Sequence, residues 1–229
     1  MRLKKPVVDY RKLRFHNVTS KEYRHLFLLL LWIGFAVLFY TAEAFHPTNF
    51  YYDMYWPAVD DAIPFCEWFL IPYLFWFVYM LGIHLYTGFY DLASFRKLMA
   101  YIGITYYAGV ITFYVFPTVQ NLRPDLSGLG RDNFLIRFMA GFYEFDTNTN
   151  VCPSLHVVGS VAVWASGINC PGLQKRGWKI FFTVSTLLIS ASTVFLKQHS
   201  IIDVIAAIPI CAIAYWLVYK RKDKKSLKN

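Results

Sequence analysis

The chain has 229 residues, of which 57% are hydrophobic, 20% aromatic and only 16% charged, with a formal net charge of +9. A soluble domain carries about a quarter charged residues, so this composition argues against a soluble globular protein. Positive charge of this size suits nucleic acid, anionic lipid or cytoplasmic loops, and its distribution along the chain argues against the first.

Residues 1–25 are basic and polar, with no pattern of a cleavable signal peptide before the first apolar block. Six stretches then approach the ~20 mostly apolar residues that a spanning helix needs. They run from about Leu26 to Phe45, Pro64 to Leu85, Leu98 to Phe116, Ser154 to Asn169, Ile180 to Leu196 and Ile201 to Tyr219. The fourth and fifth carry Ser, Thr and His, which predicts helices facing protein or a polar cavity rather than lipid. The expected fold is all-α: a polytopic membrane protein whose six transmembrane helices form one bundle. Its basic segment 1–25 and basic tail 220–229 flank a transmembrane domain over 26–219.

The positive-inside rule sets the orientation. With the N-terminus in the cytoplasm, the cytoplasmic side holds Arg2, Lys4, Lys5, Arg11, Lys12, Arg14, Lys21, Arg24, Arg96, Lys97, Lys175, Arg176, Lys179, Lys220, Arg221, Lys222, Lys224, Lys225 and Lys228. That is 19 of 23 basic residues; Arg123, Arg131, Arg137 and Lys197 fall outside. The split predicts an even number of spans, cytoplasmic termini and basic tails that meet anionic lipid, and it accounts for the charge without nucleic acid. The sequon Asn17-Val18-Thr19 is then silent.

Two outer loops follow from this arrangement. His46 to Pro64 reads as an interfacial segment in which Asp53, Asp60 and Asp61 are solvated carboxylates, and Thr118 to Pro153 is longer. No strand pattern, internal repeat or phosphate-cradling glycine loop is present in the sequence. Cys66, Cys152, Cys170 and Cys211 have no metal-ligand spacing and read as small apolar residues; spacing alone does not support a Cys66–Cys152 bridge. His16, His25 and His84 carry no expected chemistry.

Histidine and aspartate at the rim of a span are costly and usually functional. His156 opens the fourth span; His199 and Asp203 open the sixth. The spacing of four puts His199 and Asp203 on one helical face. Asp203 can then hold one ring nitrogen and leave the other as a nucleophile or base. An isolated pair of this kind also reads as two polar groups that satisfy each other between helices. The topology separates the two readings, because Arg123, His156 and His199 reach the same outer face from three segments. Phosphoryl transfer asks for a nucleophile (His199, oriented by Asp203), an acid for the leaving oxygen (His156) and donors around the phosphate (Arg123, Ser154 and Lys197). Asp146 and Asn150 shape the loop or touch a headgroup. A transporter would place polar groups at mid-membrane, often on inverted repeats.

Arg123-Pro124, Pro153-Ser154-Leu155-His156, and Ser192 through His199 to Asp203 together resemble, in order and topology, the three motifs of the type-two phosphatidic acid phosphatase superfamily, which includes vanadium haloperoxidases. The resemblance covers about Ile104 to Ile210. It implies a membrane lipid phosphatase with a phosphohistidine on His199, protonation of the leaving group by His156 and no metal or other cofactor. The partners implied are a lipid phosphate or phospholipid and the bilayer, with the site facing outward from the plasma membrane. Two motif positions depart from the pattern: Phe116 stands where the family has Lys, and Thr193 where it has Arg. That departure, with the Pro-Ser-Leu-His wording, resembles the branch of inositol phosphorylceramide synthase and sphingomyelin synthase. It keeps a lipid headgroup phosphotransferase open as the alternative.

Overall fold

The computed structural model describes residues 5–44 and 50–221. His46 and the basic residues Arg2, Lys4, Lys222, Lys224, Lys225 and Lys228 lie outside the described residues. A 3-10 turn over Arg24–Leu29 leads into α1 (Leu30–Ala44). A short α2 (Pro57–Asp60) precedes α3 (Leu70–Tyr90), and one residue, Asp91, separates α3 from α4 (Leu92–Val115). Then come α5 (Phe134–Phe145), α6 (Leu155–Asn169), α7 (Arg176–Phe195) and α8 (Ile201–Tyr215), which continues as a π turn over Trp216–Lys220.

Among the described residues, five helices are long and apolar enough to cross a membrane: Arg24–Ala44, Glu67–Tyr90, Leu92–Val115, Arg176–Phe195 and Ile201–Lys220. The protein is an integral all-α membrane protein. The helix boundaries differ from the apolar blocks because caps, not hydropathy, set them. Asp91 accepts from the Ser94 N–H at 3.0 Å and starts α4 ahead of its apolar run, so Arg96 and Lys97 are helical.

The shorter α6 has 15 residues and packs against α3, α4, α7 and α8. Its buried side includes Gly159, Ser160, Ala162, Ala165, Ser166 and Gly167, small residues that let neighbouring helices approach closely. This is the physical reason for its weak apolarity: it faces protein. By contrast, α1 is peripheral, and Ala42 is its one buried residue.

The bundle has two distinct ends. At one, the N-terminal segment closes on the end of α3 through Val7 N–H to the Phe89 carbonyl (2.8 Å) and the Tyr10 hydroxyl to the Gly88 carbonyl (2.7 Å). The start of α4 and the end of α8 meet there, with Lys97 5.7 Å from the Tyr219 ring. At the other end, Ser154 N–H bonds the Asp203 carbonyl (3.1 Å) and Cys66 N–H bonds the Phe195 carbonyl (3.0 Å).

Three expectations are corrected at this second end. A parallel pair of two-residue strands, Tyr52–Asp53 with Thr118–Val119, joins the two long interhelical loops where no strand was expected. A ladder this short has no periodicity to detect. The longer loop also contains the helix α5. It buries Ile136 and Met139 and leaves Phe134, Phe138 and Phe145 exposed, as an interfacial helix does. Asp60 is 2% exposed rather than solvated. The four cysteines are free thiols, three of them buried.

Packing at α6 gives a direct test. A Cβ on Gly159 would land on the Tyr106 hydroxyl and 2.9 Å from Trp76 Nε1. Gly159→Ala should therefore cost about 1–3 kcal/mol, read as a lower melting temperature of the purified protein in detergent. An unchanged melting temperature would show that the α3, α4 and α6 contact is loose.

Candidate active site

The site is built where α6 and α8 begin. Ser154 caps α6, its hydroxyl accepting from Val157 N–H at 3.5 Å, and His156 follows in the first turn. Ser200 caps α8, accepting from Ile202 N–H at 3.1 Å, and Asp203 turns back to accept from Ser200 N–H at 3.0 Å. This is a capping box with Asp at its third helical position. The geometry brings the Asp203 carboxylate against the preceding residue, His199.

His199 Nδ1 lies 3.1 Å from Asp203 Oδ2, and Asp203 is fully buried. A buried carboxylate needs donors, so Nδ1 carries the proton and donates, leaving the Nε2 lone pair free. The backbone before His199 is equally fixed. The Thr193 carbonyl accepts from both Gln198 N–H (3.0 Å) and His199 N–H (3.1 Å), and Lys197 is left-handed with φ 53°.

His156 stacks on Tyr73 at 4.2 Å and lies against Trp76 at 4.7 Å. The two imidazole centroids are 6.2 Å apart. That is too far for a direct bond, and it spans about two hydrogen-bond reaches of ~3 Å each. Both rings line a cavity of about 90 Å³ together with Asp146, Asn150 and Gln198, room for several water molecules.

Among the described residues, His156 Nε2, Gln198 Nε2, Asn150 Oδ1 and Arg123 Nε are buried and have no hydrogen-bond partner. Three of these side chains line the cavity. Buried polar atoms are normally satisfied, so the cavity suits a polar ligand that both accepts and donates.

The remaining expected site residues fall differently. Arg123 does not line the cavity; it stands behind Gln198. Its Nη1 donates to the carbonyls of Tyr143 (3.0 Å) and Asp146 (2.8 Å), its Nη2 to the Thr147 carbonyl (2.9 Å) and Gln198 Oε1 (2.7 Å). Burial disfavours the charged guanidinium, and these four acceptors offset that cost. Ser154 is spent on its cap. Lys197 points away from the histidines: its Nζ donates to the Asp60 carbonyl at 2.6 Å, and the side chain lines a separate polar cleft with Asp53, Tyr55 and Asp61. The two departures from the phosphatase pattern have local roles. Phe116 stacks on Tyr52 at 3.9 Å, and the Thr193 hydroxyl donates to the Ser190 carbonyl.

Three contributors were not evident from the sequence. Gln198 links Arg123 to the cavity. Asp60 caps the start of α8, accepting from Ile201 N–H at 2.9 Å and the Ser200 hydroxyl at 2.6 Å. Glu43, at the end of α1, accepts from the hydroxyls of Thr147 (2.9 Å) and Thr149 (2.7 Å) and from Asn150 Nδ2 (2.7 Å). Glu43 had a signal, a carboxylate in an apolar span; Asp60 had none.

Comparison with protein-family models, with curated proteins and with solved structures gives no match.

Asp146 carries a pH test. Burial pushes its carboxyl above the ordinary 3.8, against the opposing pull of Arg123 and His199. A raised carboxyl favours the protonated form in the fold, so the associated stability is present below 3.8 and is lost as pH rises through the folded value. Asp146→Asn mimics the protonated state. It should melt with wild type at acid pH and above wild type at neutral pH. Parallel melting curves across that range would mean that the attraction of Arg123, 3.9 Å from this half-exposed carboxylate, cancels the cost of burial.

Proposed function

We propose that the protein is a multi-pass membrane enzyme that hydrolyses a lipid phosphate or diphosphate through a phosphohistidine on His199. The observation that carries this reading is the pair of imidazoles facing one small cavity, one of them oriented by a buried carboxylate. His199 Nε2 attacks phosphorus and the bond to the lipid oxygen breaks. His156, entering the step as imidazolium, gives that oxygen its proton and becomes neutral imidazole. Water then attacks the phosphohistidine and returns a proton to His156 as phosphate leaves. Asp203 stabilises the charge that His199 acquires. The resemblance of the three motifs to the type-two phosphatidic acid phosphatases supports the same assignment.

The charge around the cavity favours a second reading. Arg123 is held by four protein acceptors, Lys197 is directed at Asp60, and the cavity wall itself contains a carboxylate, Asp146. A phosphomonoester carries roughly two negative charges near neutral pH and a diester one. So weak a positive field suits a diester, which is the substrate of a headgroup phosphotransferase. In that reaction a lipid alcohol replaces water in the second step.

In this reading α1, α3, α4, α6, α7 and α8 are the six spans. The end carrying the N-terminal segment is cytoplasmic, and the histidines face outward from the plasma membrane. The segregation of basic residues supports the orientation. An impermeant thiol reagent on intact cells should label Ser127→Cys in the outer loop and leave Lys225→Cys in the tail unlabelled, each in a Cys66→Ser background. Labelling of the tail would overturn the orientation.

The chemistry is tested by assaying purified protein with phosphatidic acid, with and without alcohol acceptors, for free phosphate and new lipid. His199→Ala should abolish turnover and, because it takes a donor from the buried Asp203, lower the melting temperature without unfolding the protein. His156→Ala should lose about 10²–10⁴-fold on a poor leaving group and much less on p-nitrophenyl phosphate, whose leaving group needs no proton. EDTA should leave the rate unchanged; loss of activity with recovery by Mg²⁺ would replace this mechanism.

A further inference from the structure

Asp60 sits about 140 positions before the catalytic turn in the chain, yet its partners converge there. Its carboxylate accepts from the Ser200 hydroxyl (2.6 Å), Ile201 N–H (2.9 Å) and Trp56 N–H (2.8 Å), and its carbonyl accepts from Lys197 Nζ (2.6 Å). Three of these four bonds fall on residues 197, 200 and 201, which bracket His199. The side chain of Asp60 is withdrawn from water, with the residue 2% exposed. A buried carboxylate holding three donors is a strong tether, because removing it leaves each donor unpaired.

Ser200 is the link between the two carboxylates. Its hydroxyl goes to Asp60, and its amide goes to Asp203, whose same oxygen Oδ2 faces His199 Nδ1. The cation of Lys197 is held on the Asp60 backbone, which fastens a left-handed residue that a non-glycine side chain adopts at a cost. The turn is therefore clamped from the outer side by one residue of the first outer loop and from the inner side by Asp203.

We propose that Asp60 is a positioning residue for His199. It locks the Lys197–Ile201 turn so that the His199 imidazole meets Asp203 on one nitrogen and presents the other to the cavity. Lys197 belongs to the same clamp, through the Asp60 carbonyl. The consequence for turnover rests on the phosphohistidine reading; the consequence for the His199 ring does not.

The test uses the full chain, labelled with ¹⁵N-histidine and held in lipid nanodiscs. Long-range ¹H–¹⁵N spectra report the ring tautomer, with His199 assigned by loss of its signals in His199→Gln. Wild type should show one His199 tautomer, protonated at Nδ1. Asp60→Asn, close in size to the native residue, should move the His199 signals toward values averaged between tautomers. Asp60→Ala should do so further where it folds. Tyr55→Phe removes the bonds from the neighbouring Tyr55 hydroxyl to Asp61 (2.8 and 2.7 Å) and should leave the signals unchanged. Unshifted His199 signals in Asp60→Asn, or an equal shift in Tyr55→Phe, would overturn the proposal.

Kinetics on phosphatidic acid in mixed micelles supply the second arm. Asp60→Asn should lose at least about tenfold in kcat, as expected when a reacting group is displaced by a fraction of an ångström, with KM held within about twofold. A shifted His199 with wild-type kcat would overturn the claim that this clamp sets the rate. If wild-type protein turns over neither phosphatidic acid nor p-nitrophenyl phosphate, the functional reading fails, and the spectra still decide whether Asp60 positions His199.

Discussion

The site end of the molecule depends on a carboxylate that has been taken out of water. Asp203 is fully buried in the first turn of α8, where a charged group survives only with donors close by and a favourable field. The start of α8 gives the field, and the amide of Ser200 and the ring of His199 give the donors. Placing Asp203 there also fixes the tautomer of His199. The Ser200 hydroxyl is then free to serve Asp60, and through Asp60 the segment between α1 and α3 is drawn over the turn. One buried charge thus sets a chain of contacts that reaches from α8 to α2.

The helical bundle supports this end without sharing its polarity. α6 sits among four neighbours and presents glycine, alanine and serine to them. His156 opens that helix and is held by the faces of Tyr73 and Trp76 from α3. Stacking fixes a ring plane and leaves the nitrogens unengaged, and His156 Nε2 has no partner among the described residues. His199 is fixed through a nitrogen and His156 through its faces. That difference suits a nucleophile held in one tautomer beside an acid that must give up and take back a proton, the roles proposed for them.

Much of this was legible in the sequence, and the part that was not has a common cause. Length and apolarity locate the five long helices, and the polar composition of the Ser154–Asn169 stretch announces a protein-facing helix. The four-residue spacing of His199 and Asp203 is a local signal, and the contact is formed. Asp60 reads as solvated because nothing within several residues of it hints at a partner 140 positions away. Lys197 reads as a phosphate ligand because it stands two residues before His199. A backbone φ of 53° at that residue directs its side chain to the opposite cleft. The amphipathic α5 is short and lies inside a polar loop, where a hydropathy window averages it away.

The arrangement of Arg123 bears on what the cavity can hold. A guanidinium in direct contact with a phosphate would put a full positive charge on it. Here the guanidinium is committed to three backbone carbonyls and to Gln198 Oε1, and the amide nitrogen of Gln198 is the group left at the cavity. Because Oε1 is held by a cation, the amide dipole is fixed with its N–H groups on the other side. The charge of Arg123 therefore reaches a ligand through a polarised neutral donor and not through its own N–H groups. Such a donor is weaker than a guanidinium and discriminates less between a dianion and a monoanion. Asp146 at the same wall works against a dianion. On the proposed reading, the site gains its specificity from the two imidazoles and the shape of the cavity, and the second negative charge of a monoester earns it little there. This is the physical reason to keep diester headgroup transfer beside monoester hydrolysis for a chain whose motifs resemble a phosphatase.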